Sequence, residues 1–191
     1  MGFRDDLYTG WSFPDPTHSL DALAWDQLHG DYWERHKVPR KARILPQRIM
    51  EHGRRLFEKT HTLPWRTVRD AFHDLPDPEK NPKASDAYIN HRFQPGARAY
   101  PGHTGSPLDE PAKTLKAGVH GVPGGENMLC HPDGSVRYFT VRESARLQTF
   151  PDDYHFHGSW SEAMRQLGNA VPVSLAQIIG AHVARYLEPT T

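Results

Sequence analysis

Residues 137–176, RYFTVRESARLQTFPDDYHFHGSWSEAMRQLGNAVPVSLA, restrict the fold of this chain more than any other stretch, because two helix-start signatures stand inside them. Thr140-Val141-Arg142-Glu143 is a capping box: the threonine hydroxyl accepts from an otherwise orphaned backbone N–H, and the glutamate reaches back to the cap's own N–H. Ser159-Trp160-Ser161-Glu162 repeats the pattern. The first helix is predicted to stop near Phe150, since Pro151 cannot continue it and Asp152-Asp153 favour a turn. The second is predicted to stop at Gly168, the residue that best tolerates a left-handed cap. Asn169-Ala170-Val171-Pro172 is then a loop with free backbone groups, feeding a last helix over Val173–Leu187. Periodicity carries the reading no further than helix, turn, helix, loop, helix.

Composition sets outer limits. A chain of 191 residues predicts one domain or two small lobes. With 37% hydrophobic residues, 17 prolines and 15 glycines it is thin for an autonomous globular domain and rich in loop. The mean hydropathy of −0.73 agrees. The formal net charge is +0, so no global positive field announces nucleic acid, and a DNA-binding argument rests on local patches. One cysteine excludes a disulfide framework and a cysteine-based zinc site, and suits a reducing cytoplasm. No apolar run reads as approaching membrane-spanning length, and Met1–Trp11 has no secretory apolar core.

Upstream, Trp11–His18 is an extended, proline-punctuated segment. Arg35–Arg55 gathers Arg35, Lys37, Arg40, Lys41, Arg43, Arg48, Arg54 and Arg55 against the acid Glu51. Ile44, Ile49, Leu56 and Phe57 give it a partial helical stripe from Ala42 onward. Such a segment lies along phosphates, releasing counterions, or is a solvated helix face. Trp65–Leu75 is amphipathic through Val68, Phe72 and Leu75, with Thr67 as its cap. Asp74–Lys83 is a linker or surface loop. Asn90–Gly125 reads as irregular, glycine-rich β structure in which Lys113-Thr114-Leu115-Lys116 is the short strand-like run. His91, Arg92, Arg98, His103 and His120 either reach phosphates and base edges or are plain surface residues. Asn127–Arg137 is predicted to be a hairpin turning at Asp133-Gly134. Cys130-His131 is not read as a reactive pair, since neighbours on a strand point to opposite faces. His155-x-His157 lacks a third spaced ligand, so no metal site is expected. The acidic pairs Asp5-Asp6 and Asp109-Glu110 read as solvated.

TVRESARLQTFPDDY followed by RQLGNAVPVSLA resembles the ninth and tenth motifs of the cytosine-5 DNA methyltransferases, in order and at family spacing. Gly2-Phe3-Arg4-Asp5-Asp6-Leu7 resembles the tail of the eighth motif, though a mobile terminus reads as well. Trp11–His18, Thr67-Val68-Arg69-Asp70-Ala71 and Thr114-Leu115 are similar to further family stretches, the last inside its target recognition domain. The resemblance implies an α/β, Rossmann-like, S-adenosylmethionine-dependent fold. It implies a reaction in which a flipped cytosine is attacked at carbon 6 by a cysteine thiolate, protonated at nitrogen 3 by a glutamate, and methylated at carbon 5. The Pro-Cys-Gln loop, the Glu-Asn-Val segment and the Phe-x-Gly-x-Gly turn of that chemistry do not occur in this sequence, so no catalytic residue is expected in it.

The roles that remain follow from the resemblance. Asn169 and Ala170 match the positions that close over S-adenosylmethionine, with Gly168 clearing space for that approach. Lys113, Thr114, Leu115 and Lys116 match the segment on the DNA backbone beside the flipped nucleotide. Arg142, Glu143, Arg146 and Gln148 match the motif that braces the recognition domain against the catalytic one, without their partners being legible. Ala176, Ile179, Val183 and Leu187 on the last helix would pack on a catalytic sheet. The expected architecture is 1–18 as the end of a catalytic domain, 19–133 as the target recognition domain, and 134–191 as a return to the catalytic domain. The expected function is that of the recognition half of a split, cytoplasmic DNA methyltransferase of a restriction–modification system, acting on double-stranded DNA. Its partner would be a complementary subunit carrying the nucleophile. Met1 at that boundary favours a natural subunit over a truncated piece. The alternative is an inactive remnant or a stand-alone DNA-binding module.

Overall fold

Ser19 opens the first helix by accepting a hydrogen bond from Ala22 N at 3.0 Å, and α1 then runs Leu20–His29. The structure, a computed structural model, describes residues 10–117 and 126–187. The expectations placed on Gly2–Leu7 and His120 lie outside them. Leu20, Leu23, Ala24 and Gln27 recur at helical spacing along α1 and are buried. Leu20, Leu23 and Ala24 form a first core with Tyr32 and Trp33 of α2 (Tyr32–Arg35), with Val38 after it, and with Ile49 of α3 (Gln47–Gly53). A 3-10 turn, Arg40–Ala42, separates those helices. The helical stripe expected from Ala42 onward therefore shrinks to α3, with Ile49 buried while Ile44 and Phe57 are exposed. β1 (His18–Ser19) pairs in parallel with β2 (Leu63–Pro64) beside this core.

The second core joins distant parts of the chain. α4 (Val68–Phe72) is shorter than the amphipathic pattern suggested, and it starts with a complete Thr67–Asp70 capping box. After α5 (Pro82–Ser85), β3 (Ser106–Pro107) pairs in parallel with β4 (Met128–Cys130). β4 turns back on β5 (Val136–Tyr138) as the expected antiparallel hairpin. At its turn Gly134 has φ +84° and donates to His131 O, and Asp133 accepts from Ser135 N at 2.9 Å. α6 (Val141–Leu147) and α7 (Trp160–Asn169) each begin with the complete capping box legible in the sequence. Val68, Phe72, Leu115, Leu129, Phe139, Ala145, Phe156, Met164 and Leu167 pack together, so residues on both sides of Asp133 share one core. The described residues thus mix helices with two small sheets, an α/β composition.

Three local expectations are corrected. α6 ends at Leu147 rather than near Phe150, because Thr149 takes a left-handed backbone (φ +58°) that a helix cannot contain. Gly168 does not cap α7 in a left-handed conformation but lies inside it, one residue before its end. Lys113–Lys116 is not a strand; the strand of that region is β3.

α8 spans Val173–Leu187, as the periodicity predicted, and none of its residues is buried. Ile179, His182, Val183 and Tyr186 are half-buried, whereas Ala176 and Leu187 of the expected stripe are exposed, as are Leu175 and Ile178. His182 accompanies Trp11 (ring centroids 6.0 Å apart) and lies 3.0 Å from Ser12 O, so the segment after Gly10 leans on this helix. Taken together, the stretch Trp160–Leu187 has the length and composition of a membrane-spanning helix. Ala170–Pro172 nonetheless break it into helices of 10 and 15 residues, each short of the roughly 20 residues a span needs.

Candidate functional site

α6 is the brace around which the expected site residues gather. Its N-terminus is fixed twice over: Thr140 accepts from Glu143 N, and Glu143 accepts from Thr140 N at 2.8 Å. The same carboxylate takes two parallel hydrogen bonds from Arg137 of β5, at 2.8 and 2.7 Å. Burial works against the charge on Arg137, but Glu143 outweighs it and holds the guanidinium above its usual pKa. Hairpin and helix are therefore welded by one buried ion pair.

Arg142 is 1% exposed and meets no carboxylate of a described residue at hydrogen-bond distance. Its guanidinium donates instead to three carbonyls: Ile89 O at 2.9 Å, Pro151 O at 3.0 Å and Tyr154 O at 2.8 Å. Burial lowers its pKa from the usual arginine value. Asn90, itself left-handed at φ +62°, exchanges two bonds with Phe156, so the 89–91 loop and the 151–156 turn are stitched on either side of Arg142. His91 belongs to this stitching. It is fully buried between Thr140 Oγ1 (2.8 Å) and Pro76 O (2.7 Å), and it cannot reach phosphates or bases. Arg146 binds Asp74 and Asp152 together, and its hydrogen bonds hold both carboxyls below the usual range.

Gln148 frames the loop at Asn169 and Ala170 from both ends. Its Nε2 donates to Leu167 O at 2.9 Å, before the loop, and its carbonyl accepts from Val173 N at 3.0 Å, after it. Thr149 Oγ1 accepts from Ser174 N at 2.8 Å, which ties down the start of α8. Asn169 is exposed at the end of α7, its amide unbonded to any described residue, and Ala170 follows half-buried. That arrangement fits one polar contact to a cofactor.

The segment Lys113–Lys116 runs extended against α7. Leu115 is buried in the second core, while Lys113, Thr114 and Lys116 face solvent. Lys113 Nζ lies 3.1 Å from Thr104 Oγ1. Lys116 is paired with Glu126 at 3.0 Å; burial raises that carboxyl's pKa, but Lys116 and backbone bonds bring it below the usual value. The two lysines thus differ: Lys116 is neutralised by a carboxylate, and Lys113 is bonded to a hydroxyl.

In the basic segment, Arg35 is engaged by Asp26 and Asp31, Arg43 by Glu34, and Arg48 lies 5.9 Å from the Trp65 ring centroid. Lys37, Arg40, Lys41, Arg54 and Arg55 are exposed and make no ion pair with a described residue. Of these five, Lys37 lines a cleft of about 450 Å³, whose walls include Arg69, Asp77, Lys80, Arg137 and Glu143. Neither Cys130, half-buried at the end of β4, nor the exposed pair His155 and His157 belongs to a metal-binding group among the described residues.

Sequence reasoning missed a buried polar junction. Tyr32 Oη donates to Asp109 Oδ1 and meets Thr67 Oγ1, both at 2.9 Å, and Arg69 binds the same carboxylate at 2.6 and 2.9 Å. Burial and Asp109 push the Tyr32 pKa up. Asp109, read as solvated, is in fact the post that ties α2 and α4 to the chain just ahead of Lys113.

Comparison with known proteins places the chain among DNA methylases. A family model described as C-5 cytosine-specific DNA methylase matches residues 29–185. The type II methyltransferase M.PspPI of Psychrobacter sp. is 32% identical over 98% of this chain and 41% of its own length. M.Sau96I of Staphylococcus aureus is 44% identical over 41% of the chain and 17% of its own length. The DNA (cytosine-5)-methyltransferase CMT2 of Oryza sativa subsp. japonica is 48% identical over 29% of the chain. The chain spans less than half the length of each of these relatives.

Proposed function

Because this chain belongs to the C-5 cytosine-specific DNA methylase family, we propose that it supplies the target-recognition and cofactor-closing part of a DNA (cytosine-5) methyltransferase. In this reading it works jointly with a polypeptide part that carries the nucleophile and the cofactor turn, in the cytoplasm. The observation that carries the proposal is α8: fifteen residues, largely apolar, none of them buried, directly after the Asn169–Ala170 loop. An apolar helix of that kind needs a covering surface, and an interface that provides it is large and apolar, like a core cut in two.

S-adenosylmethionine supplies the methyl group, and Asn169 offers its side-chain amide to a polar group of that cofactor. Thr114, with Lys113 beside it, contacts backbone phosphates of duplex DNA while Leu115 anchors the segment from below. The relatives named type II methyltransferases support a restriction–modification setting for this chain.

The test is to mix the chain with a catalytic part bearing the Pro-Cys loop and follow labelled methyl transfer to duplex DNA. Transfer is expected from the mixture and from neither component alone. Asn169→Ala is expected to weaken cofactor binding in the assembly by about 1–2 kcal/mol, the usual worth of one polar interaction. A chain that binds duplex DNA but ignores its catalytic complement would replace this reading with that of a DNA-binding module.

A further inference from the structure

Gly168 stands inside a helix, where glycine is the poorest choice but proline, so its place there needs a reason other than backbone conformation. The reason is space. A Cβ at this position would lie 2.7 Å from Lys116 C, 2.7 Å from Ala117 N and 2.9 Å from Ala117 Cα. All three are backbone atoms, so no rotamer change relieves the clash; the segment itself would have to move.

That segment is held on its other side as well. The buried Asn127 side chain receives Lys116 N at 3.3 Å and donates to Lys116 O at 3.4 Å. Leu115 is locked in the core beside Leu167. The backbone at Lys116 is therefore clamped between Asn127 and the bare face of α7. One residue beyond Gly168 stands Asn169, in the loop that Gln148 frames.

Resting on the functional reading above, we infer that Gly168 is a positioning residue: it joins the DNA-contacting segment 113–117 to the cofactor-closing loop 169–170, so that the two ligands bind cooperatively. Ordering Asn169 over the cofactor steadies the end of α7, and the end of α7 is the wall against which Lys116 and Ala117 are set. Thr114 then meets its phosphate without the cost of ordering the segment at that moment.

The test uses the assembled enzyme, S-adenosylhomocysteine as cofactor probe, and fragments of genomic duplex DNA. DNA affinity is measured by anisotropy with and without the probe. The wild-type assembly is expected to bind DNA about tenfold more tightly when the probe is present, within the usual range of coupling between two sites. In Gly168→Ala that ratio should fall to within about twofold of unity while both ligands still bind. Lys83→Ala is the control: the side chain is exposed on α5, outside both α7 and the 113–117 segment, and the ratio should not change. If Gly168→Ala does not fold, Asn127→Ala loosens the same clamp from the other side and should lower the ratio likewise. A wild-type assembly with no coupling, or a folded Gly168→Ala or Asn127→Ala enzyme with the wild-type ratio, overturns the joint alone. A wild-type assembly that binds neither DNA nor probe overturns the functional reading, and the joint with it.

Discussion

The Arg137 guanidinium and the Glu143 carboxylate meet in two parallel hydrogen bonds with almost no access to water, their side chains 5% and 1% exposed. Removing one partner strands the other as a buried charge, which costs about 3–5 kcal/mol, whereas removing both together is far milder. Arg137→Met and Glu143→Met should each lower stability by about that amount, and the double variant by less than the sum, in urea unfolding of the protein. Additive losses would show that the two side chains do not act as a pair. Arg142 offers a contrast: its three acceptors are carbonyls, so a lysine there keeps the charge but cannot span them with a planar fork.

At the scale of the element, α6 is anchored at its start by a capping box and along its flank by Arg146 between Asp74 and Asp152. Both carboxyls are depressed below their ordinary value of 3.8. A depressed carboxyl contributes stability that is fully present above its unfolded pKa and is lost as pH falls through the folded one. The flank should therefore loosen in acid, below about pH 4, and be indifferent to pH above that. The carboxylates are half-exposed, so the effect is small: Arg146→Gln should cost on the order of 1 kcal/mol near neutrality, and progressively less as the pH falls through the depressed carboxyl values. Thermal unfolding of both proteins across that range measures it; a constant difference down to the acid limit would mean that Arg146 acts through packing.

For the whole molecule the open question is what α8 and the basic segment face. Ile179→Asp or Val183→Asp places an unpaired charge on the half-buried side of α8 and should abolish assembly with a catalytic part, whereas Lys83→Ala, exposed on α5, should leave it intact. Sedimentation of the mixtures distinguishes the two results. Reversing the charges of Lys113 and Lys116 should weaken DNA binding across all sequences and flatten its salt dependence, by roughly 0.9 in slope for each phosphate no longer neutralised. Lys113 should carry the larger share, because Lys116 already spends its charge on Glu126. An unchanged slope would move the backbone contacts to Lys37, Arg40, Lys41, Arg54 and Arg55.

What the amino-acid sequence determined by itself is what a short span of chain encloses. Thr140 finds the N–H of Glu143 and Ser159 that of Glu162 within one helical turn, so both starts were legible. The Asp133-Gly134 hairpin and the bounds of α8 follow from the same locality. The family's motif residues were legible too, since they are strings of residue types. The tertiary structure alone decided what those residues touch. Glycine at 168 reads as a helix stop until the backbone of Lys116 and Ala117 arrives where its side chain would be. Gln148 reads as one polar residue among others until Leu167 and Val173 come within reach of its two ends. His91 and Asp109 read as surface until Thr140, Pro76, Tyr32 and Arg69 close around them. Excluded volume and buried hydrogen bonds depend on neighbours far away in the chain, and only folding brings those neighbours together.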